Sequence, residues 1–260
     1  MNISEFNKSA LNRLLKEIHL PSIRIGYETA IKEAKKNDMS YENFLFGLIE
    51  NEAFERRQRR TERLLKRSGI PLQKSIDAFD LKRLSMKEMQ KVNGLLDGKF
   101  TERQENVLAF GNPGSGKTHL LCAIGQKLVR NGKKVYFSSC NILVQELLAA
   151  KKELKLSKIL KKLSAYDALI IDDIGYVQQN REEMEVLFAL LAERYEKGSV
   201  MISSNLPFSK WEQIFKDPMT TAAAIDRLVH HSVILELNLS SFRLEEAKKR
   251  THKSKRRTKN

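Results

Sequence analysis

The sequence predicts an α/β fold, a five-stranded parallel sheet with helical crossovers, preceded by a small all-α N-terminal domain. Three observations carry this. Short apolar runs alternate with helix-period stretches between residues 106 and 237, the pattern of parallel strands joined through helices. A glycine-rich loop, Gly111-Asn112-Pro113-Gly114-Ser115-Gly116-Lys117-Thr118, stands between the first such run and the first such helix. Upstream, the apolar residues recur only at helical spacing.

Taken in order, Leu11, Leu14, Leu15 and Ile18 follow the possible caps Ser4 and Ser9 as one helix. Pro21 interrupts, and 23–36 reads as a second helix. A third follows Ser40, carries the stripe Phe44, Leu45, Leu48, Ile49 and Phe54, and ends at Gly69 and Pro71. Residues 1–72 are therefore expected to form the helical domain. Residues 73–103 read as a linker, with a short extended stretch near Ile76, Phe79 and Leu81 and a helix over 86–96. From 104 to 244 the expected strands are 106–110, 135–138, 168–173, 200–204 and 233–237, with helices over 118–130, 142–150 and 182–195 and near Trp211 and Ile225. Residues 245–260 are nearly all polar and rich in Lys and Arg, a disordered basic tail by composition.

Composition narrows the class. With 41% hydrophobic residues, 30% charged and only 12 Gly and 5 Pro, the chain is neither collagenous nor broadly disordered. Its longest apolar runs fall far short of the ~20 residues that cross a bilayer, so no membrane span is expected. The opening residues show no basic segment followed by an apolar core and cleavage site, which points to the cytoplasm. Cys122 and Cys140 have no metal-ligand spacing and are too few for a disulfide framework; both are expected in the core. The 47 Lys and Arg against 32 Asp and Glu leave +15, which favours a polyanionic partner, nucleic acid ahead of an acidic membrane surface.

The loop fits GxxxxGK[ST] in its required setting between a strand and a helix. Its glycines let main-chain N–H groups turn inward, and the helix N-terminus adds positive potential. Lys117 is then placed to reach the outer phosphates of ATP and the Thr118 hydroxyl to hold Mg²⁺. We assign Gly111 to His119 to nucleotide binding. Downstream, the run 168–171 ends in Asp172-Asp173. Two carboxylates at the tip of a parallel strand face the crevice where α/β sheets bind ligands. Asp172 suits the magnesium shell, and Asp173 suits orienting or deprotonating a water. Asn205 ends another apolar run; on spacing alone it is either a γ-phosphate or water contact, or a turn or capping residue ahead of Leu206-Pro207. His119, His230 and His231 lack metal spacing, and Trp211 and Tyr195 read as core.

Beyond these single motifs, the series GNPGSGKTHL, ALIIDDIGY, LLAERYEKGS, SSNLPFSKW, DRLVHHS and SSFR strongly resembles the IstB-type ATP-binding helpers of insertion-sequence transposition. The resemblance extends to LPSIR, SYENFL and ERRQRR in the N-terminal part. It implies an AAA+ P-loop ATPase close to the DnaC helicase loaders and DnaA initiators. In such proteins Lys117 and Thr118 match the Walker A pair, Asp172 and Asp173 the Walker B pair, and Asn205 the sensor-1 position. Arg227 matches the arginine finger, which acts on the nucleotide of the next subunit in a homo-oligomer, and Arg243 resembles the sensor-2 arginine. Read without the resemblance, Arg227 is a surface ion pair with Asp226 or Glu236, and Arg243 is the start of the tail. Many family members carry glutamate where Asp173 stands, one methylene longer, and slow turnover is expected; DnaA-like members share the Asp pair.

Arg56, Arg60, Arg63 and Arg67 recur at i, i+4, i+7 and i+11, with Arg59 and Lys66 alongside, a stripe suited to DNA phosphates. The alternative is a solvated face partly neutralised by Glu55 and Glu62. Together the residues and the resemblance imply an ATPase that binds double-stranded DNA as an ATP-dependent oligomer and recruits a partner transposase. A DnaC-type helicase loader is the nearest alternative. A small-molecule P-loop kinase leaves the arginines and the tail unexplained, and a DNA-binding module using nucleotide only as a switch would bind ATP and hydrolyse almost none.

Overall fold

A computed structural model of the chain describes residues 3–175, 180–215 and 218–241. The chain divides into two compact units, residues 1–63 and 64–260.

The first unit is built from α1 (Ile3–Glu17), α2 (Pro21–Lys36) and α3 (Tyr41–Ser68) up to Arg63. Leu15, Ile23 and Tyr27 are its buried apolar residues, with Leu20 and Leu48 packed against them. Pro21 opens α2 instead of merely interrupting, because the first helical position has no N–H bond to lose. Leu20 at the cap offers no side-chain acceptor. The buried carboxylate of Glu52 on α3 does that work, accepting the N–H groups of Ser22 at 2.7 Å and Ile23 at 3.1 Å. A remote carboxylate thus satisfies two of the helix's orphan donors and meets the positive end of its dipole.

The second unit holds a sheet of β1 (Asn106–Gly111), β2 (Val135–Ser139), β3 (Ala168–Ile174), β4 (Ser199–Ser204) and β5 (Ser232–Leu237). Its order is β2-β3-β4-β1-β5 and every neighbouring pair is parallel, as the alternation of runs predicts. Helices α4 (Met86–Leu96) and α5 (Lys117–Arg130) cover one face. The other carries α6 (Cys140–Lys152), α7 (Leu156–Ser164), α8 (Arg181–Arg194), α9 (Glu212–Phe215) and α10 (Pro218–Val229). Alternation within the strands explains why both faces are apolar. Val107, Ala109, Ile170 and Met201 point to the α5 side, and Leu108, Leu169, Ile171 and Ile202 to the α8 side. Strands buried on both faces read as continuous apolar runs.

Residues 73–103, expected as a linker, supply Leu84, Val92, Leu95 and Phe100 to the α5-side core. Ile76 to Phe79 forms a turn, with the Phe79 N–H returned to the Ile76 carbonyl at 3.1 Å, in place of an extended stretch. α4 also protects the sheet edge. Lys91 Nζ donates to the Ile234 carbonyl at 2.6 Å and Glu88 accepts the Glu236 N–H at 3.1 Å, so side chains occupy bonding groups that an open edge would offer to another chain.

At the opposite ends of the strands Arg194 is 1% exposed and donates to the carbonyls of Leu163, Ser164, Tyr166, Asp167 and Ser199 at 2.7–3.4 Å. Burial pulls its guanidinium down to about 10, so it stays charged at neutral pH. It thereby ties the end of α7 to the starts of β3 and β4. Gly198 has to be glycine here, since a Cβ would lie 2.4 Å from the guanidinium. Arg194→Met removes the guanidinium's bonds to all five carbonyls, of which Leu163 and Asp167 keep main-chain partners in Tyr166 and Ser199, and is expected to lower unfolding free energy by about 3 kcal/mol. Equilibrium denaturation with urea measures it.

Candidate functional site

The loop between β1 and α5 takes its shape from three glycines in left-handed or extended-positive backbone. Gly111, Gly114 and Gly116 have φ of 151°, 80° and 99°. Space forbids a side chain at each: a Cβ would approach the Leu237 carbonyl oxygen to 2.3 Å, Ser241 Oγ to 2.3 Å and the Phe79 ring to 2.8 Å, respectively. Gly116 caps α5 without any side-chain bond, so no cap side chain stands between the helix N-terminus and a ligand. Lys117 is buried, and its Nζ donates to the carbonyls of Gly111 at 2.8 Å and Asn112 at 3.0 Å. Ser115 Oγ is buried without a partner among the described residues.

A cleft of about 650 Å³ opens over this loop, lined by Pro113, Gly114, Gly116, Lys117, Thr118, His119, Asp173 and Asn205 together with Phe79 and Arg83. Gly111, Asn112 and Ser115 belong to the same loop. His119 holds the Ser75 carbonyl at 2.8 Å and meets Phe79 edge-on, ring centres 5.3 Å apart, which seats the 75–79 turn against the first turn of α5. Arg83 donates to the Ser240 carbonyl at 2.8 Å, fixing the chain beyond β5 beside Gly114. Cys122, on α5 behind the loop, is buried and pushed up to about 12 by that burial, so it is no nucleophile at neutral pH.

The two carboxylates arrive from β3, which runs past them to the buried Ile174 instead of ending at Asp173. Its register with β4 shifts between Ile171 and Ile174, a bulge that turns adjacent residues to different sides. Asp172 is buried and accepts from Ser203 Oγ at 2.6 Å; Asp173 is exposed, with φ of 57°. Asn205 follows β4, and its amide oxygen is buried without a partner among the described residues. The donors gathered here are hydroxyl, carboxylate and amide oxygens, the set a magnesium ion takes. A helix N-terminus, a lysine and two orphaned oxygens suit a polyphosphate with its water.

Sequence reasoning missed Ser203, Phe79 and Arg83. Ser203 stands with Ser204 at the end of a buried strand, and nothing in the sequence separates the two; Phe79 and Arg83 lie in the stretch read as a linker.

Arg227 stands elsewhere. It lines a separate cavity of about 290 Å³ with Asn106, Val200 and His231, beside the N-terminal ends of β1, β4 and β5, whereas the glycine-rich loop leaves the C-terminal end of β1. Its guanidinium donates to the Ala223 carbonyl at 3.3 Å and lies 5.0 Å from the Phe188 ring centre. Among the described residues neither Asp226 nor Glu236 pairs with it. Nearby Arg103 is engaged by Glu105 at 2.7 and 2.8 Å. Arg243 and the basic tail lie outside the described residues.

The arginine stripe is not uniform. Arg56 donates to the His19 carbonyl at 2.7 Å, and Arg59 to Ser22 Oγ at 3.2 Å and Glu52 at 3.3 Å, so both brace the start of α2. Arg60, Arg63 and Arg67 are exposed. No helix among the described residues is long and apolar enough to cross a membrane.

The left-handed backbone at Asp173 carries a cost that glycine avoids. Asp173→Gly is expected to be more stable than Asp173→Ala by about 0.5 kcal/mol or more, because both lose the carboxylate and only alanine keeps a Cβ. Denaturation midpoints of the two variants distinguish them.

Comparison with known proteins agrees with this geometry. Residues 13–250 match the family model described as IstB-like ATP binding protein. An insertion sequence ATP-binding protein of Sinorhizobium fredii is 38% identical over 242 residues, 93% of this chain and 81% of that protein. One from insertion sequence IS5376 of Geobacillus stearothermophilus is 35% identical over 95% of this chain and 99% of its own length. Among solved structures, the DnaC helicase loader superposes with a TM-score of 0.55 over 64% of this chain and 97% of its own, at 17% identity. AMPPCP-bound DnaA from Aquifex aeolicus gives 0.56 over 70% and 56%, at 18% identity. The fold is therefore that of the AAA+ P-loop NTPases, and the chain belongs to the IstB-like ATP-binding protein family.

Proposed function

We propose that this protein hydrolyses ATP in a nucleotide-dependent oligomer that binds double-stranded DNA and recruits and activates a partner transposase. The observation that carries the reading is the separation of two phosphate-directed groups: the glycine-rich loop at the C-terminal ends of the strands, and Arg227 beside their N-terminal ends. An arginine so placed serves a nucleotide held by a second copy, and the active site is completed by assembly.

In this reading the loop N–H groups and Lys117 hold the phosphates, and Thr118 and Asp172 hold Mg²⁺, which neutralises phosphate charge when bound. Asp173 accepts the proton of the attacking water and Asn205 orients that water. Arg227 of the next subunit stabilises charge on the transferring phosphoryl group, and Arg243 assists from the sensor-2 position. Supporting the DNA reading are the net charge of +15 and the exposed Arg60, Arg63 and Arg67. Supporting the transposase reading is the similarity to insertion sequence ATP-binding proteins.

Lys117→Ala is expected to abolish nucleotide-dependent assembly. Arg227→Ala is expected to bind ATP normally and lose turnover on the order of a thousandfold. Mixed in equal amounts, the two dead variants should regain turnover that neither has alone, at most about a quarter of the parent rate, because the nucleotide held by an Arg227→Ala copy joins it to a Lys117→Ala copy that brings the intact arginine. A mixture as inactive as its components would remove Arg227 from the neighbour's site.

Charge reversal at Arg60, Arg63 and Arg67 is expected to weaken duplex binding and to flatten its salt dependence by about one unit of slope for each phosphate no longer neutralised. Steady-state hydrolysis with duplex and with single-stranded DNA separates the readings. Stimulation by duplex fits the transposition helper, preference for single strands fits a helicase loader, and indifference to DNA favours small-molecule phosphorylation.

A further inference from the structure

Ser203 is fully buried in β4, two residues before Asn205. Its hydroxyl makes two bonds, both to the carboxylate pair. It donates to Asp172 Oδ1 at 2.6 Å and accepts the main-chain N–H of Asp173 at 2.8 Å. Both bonds fall at the register shift: Ile171 pairs with Ile202, and the next pair is Ile174 with Ser204. Three steps along β3 are matched by two along β4, so β3 carries one residue more than the ladder can bond. A hydroxyl reaching across from β4 supplies a partner there, and a serine is suited to it because one group both donates and accepts.

We propose that Ser203 is a positioning residue for Asp172 and Asp173. Its O–H fixes one oxygen of Asp172 and leaves Oδ2 for the magnesium shell. Its lone pair holds the Asp173 amide where the backbone turns left-handed. One buried hydroxyl thereby sets the two carboxylates relative to each other, and their spacing depends on β4, the same strand that delivers Asn205. The inference rests on the reading of Asp172 as a magnesium-shell residue.

Ser204 provides an internal control. It is equally buried, and its hydroxyl bonds the carbonyls of Ile174 and Leu206 and the Leu206 N–H at 3.0–3.1 Å. It supports the same strand ends without bonding either carboxylate. The experiment measures the affinity of the full chain for a non-hydrolysable ATP analogue, first in EDTA and then in Mg²⁺, and takes the ratio as the magnesium gain, with the melting temperature alongside.

Ser203→Ala is expected to bind the analogue in EDTA as the parent does and to lose 10- to 100-fold of the magnesium gain, roughly the usual effect of removing a group that holds a metal ligand. Ser203→Thr keeps the hydroxyl and should keep the gain. Ser204→Ala should melt lower and keep it as well. If Ser203→Ala does not fold, Ser203→Cys fills the same space with a weaker hydrogen-bonding group and is read in its place. An intact gain in Ser203→Ala, or an equal loss in Ser204→Ala, overturns the positioning role alone. A parent that binds equally in EDTA and Mg²⁺ overturns the metal role of Asp172 beneath it.

Discussion

β1 lies between β4 and β5, parallel to both, and that pairing governs where the other groups of the cleft can stand. A strand buried on two faces and bonded on two edges has no freedom to shift, so the loop that leaves it starts from a fixed point. β4 brings Ser203 and Asn205 up on one side, and β3 joins β4 one place further out with Asp172 and Asp173. On the other side β5 ends at Leu237, whose carbonyl approaches Gly111 too closely for any side chain. Parallel strands all present their C-terminal ends together. Residues far apart in sequence therefore reach one cleft, to which α5 adds its first turn, Lys117, Thr118 and His119.

What could be read from sequence follows from how local each feature is. The glycine-rich loop is contiguous, and its φ values demand the residues that spell it, so the motif and the shape are one fact. The strands were legible because burial on both faces leaves unbroken apolar runs. Residues 73–103 were harder: Val92, Leu95 and Phe100 are fully or almost fully buried, but they lie in short helices whose partners are on α5 and β5, and the periodicity of so short a segment does not announce a core. Asn205 was ambiguous for a related reason. Its role depends on a buried amide oxygen, and burial there is set by the strands around it.

The arginines show a different limit. Helical spacing placed Arg56, Arg60, Arg63 and Arg67 in one stripe, yet spacing does not reveal what a neighbouring helix offers. Glu52 caps α2, and once that carboxylate is buried, Arg59 is drawn to it and Arg56 to the carbonyl of His19. The same applies to Arg227, which has acids close by in sequence but rests over Phe188. Geometry shows which cations brace a neighbouring helix, and composition counts all of them alike.

The aspartate at position 173 fits its backbone better than the longer acid would. At φ of 57° a side chain crowds the main chain, and short polar residues such as Asp and Asn enter this region several times more readily than others. A glutamate gains a methylene of reach and meets a larger conformational cost. The bulge that produces this φ also separates a buried Asp172 from an exposed Asp173, which two consecutive residues of a regular strand would achieve only by facing opposite sides of the sheet. The backbone conformation and the choice of the shorter acid are therefore coupled: the strand distortion turns the second carboxylate toward the cleft, and aspartate is the acid that tolerates the distortion at the least cost.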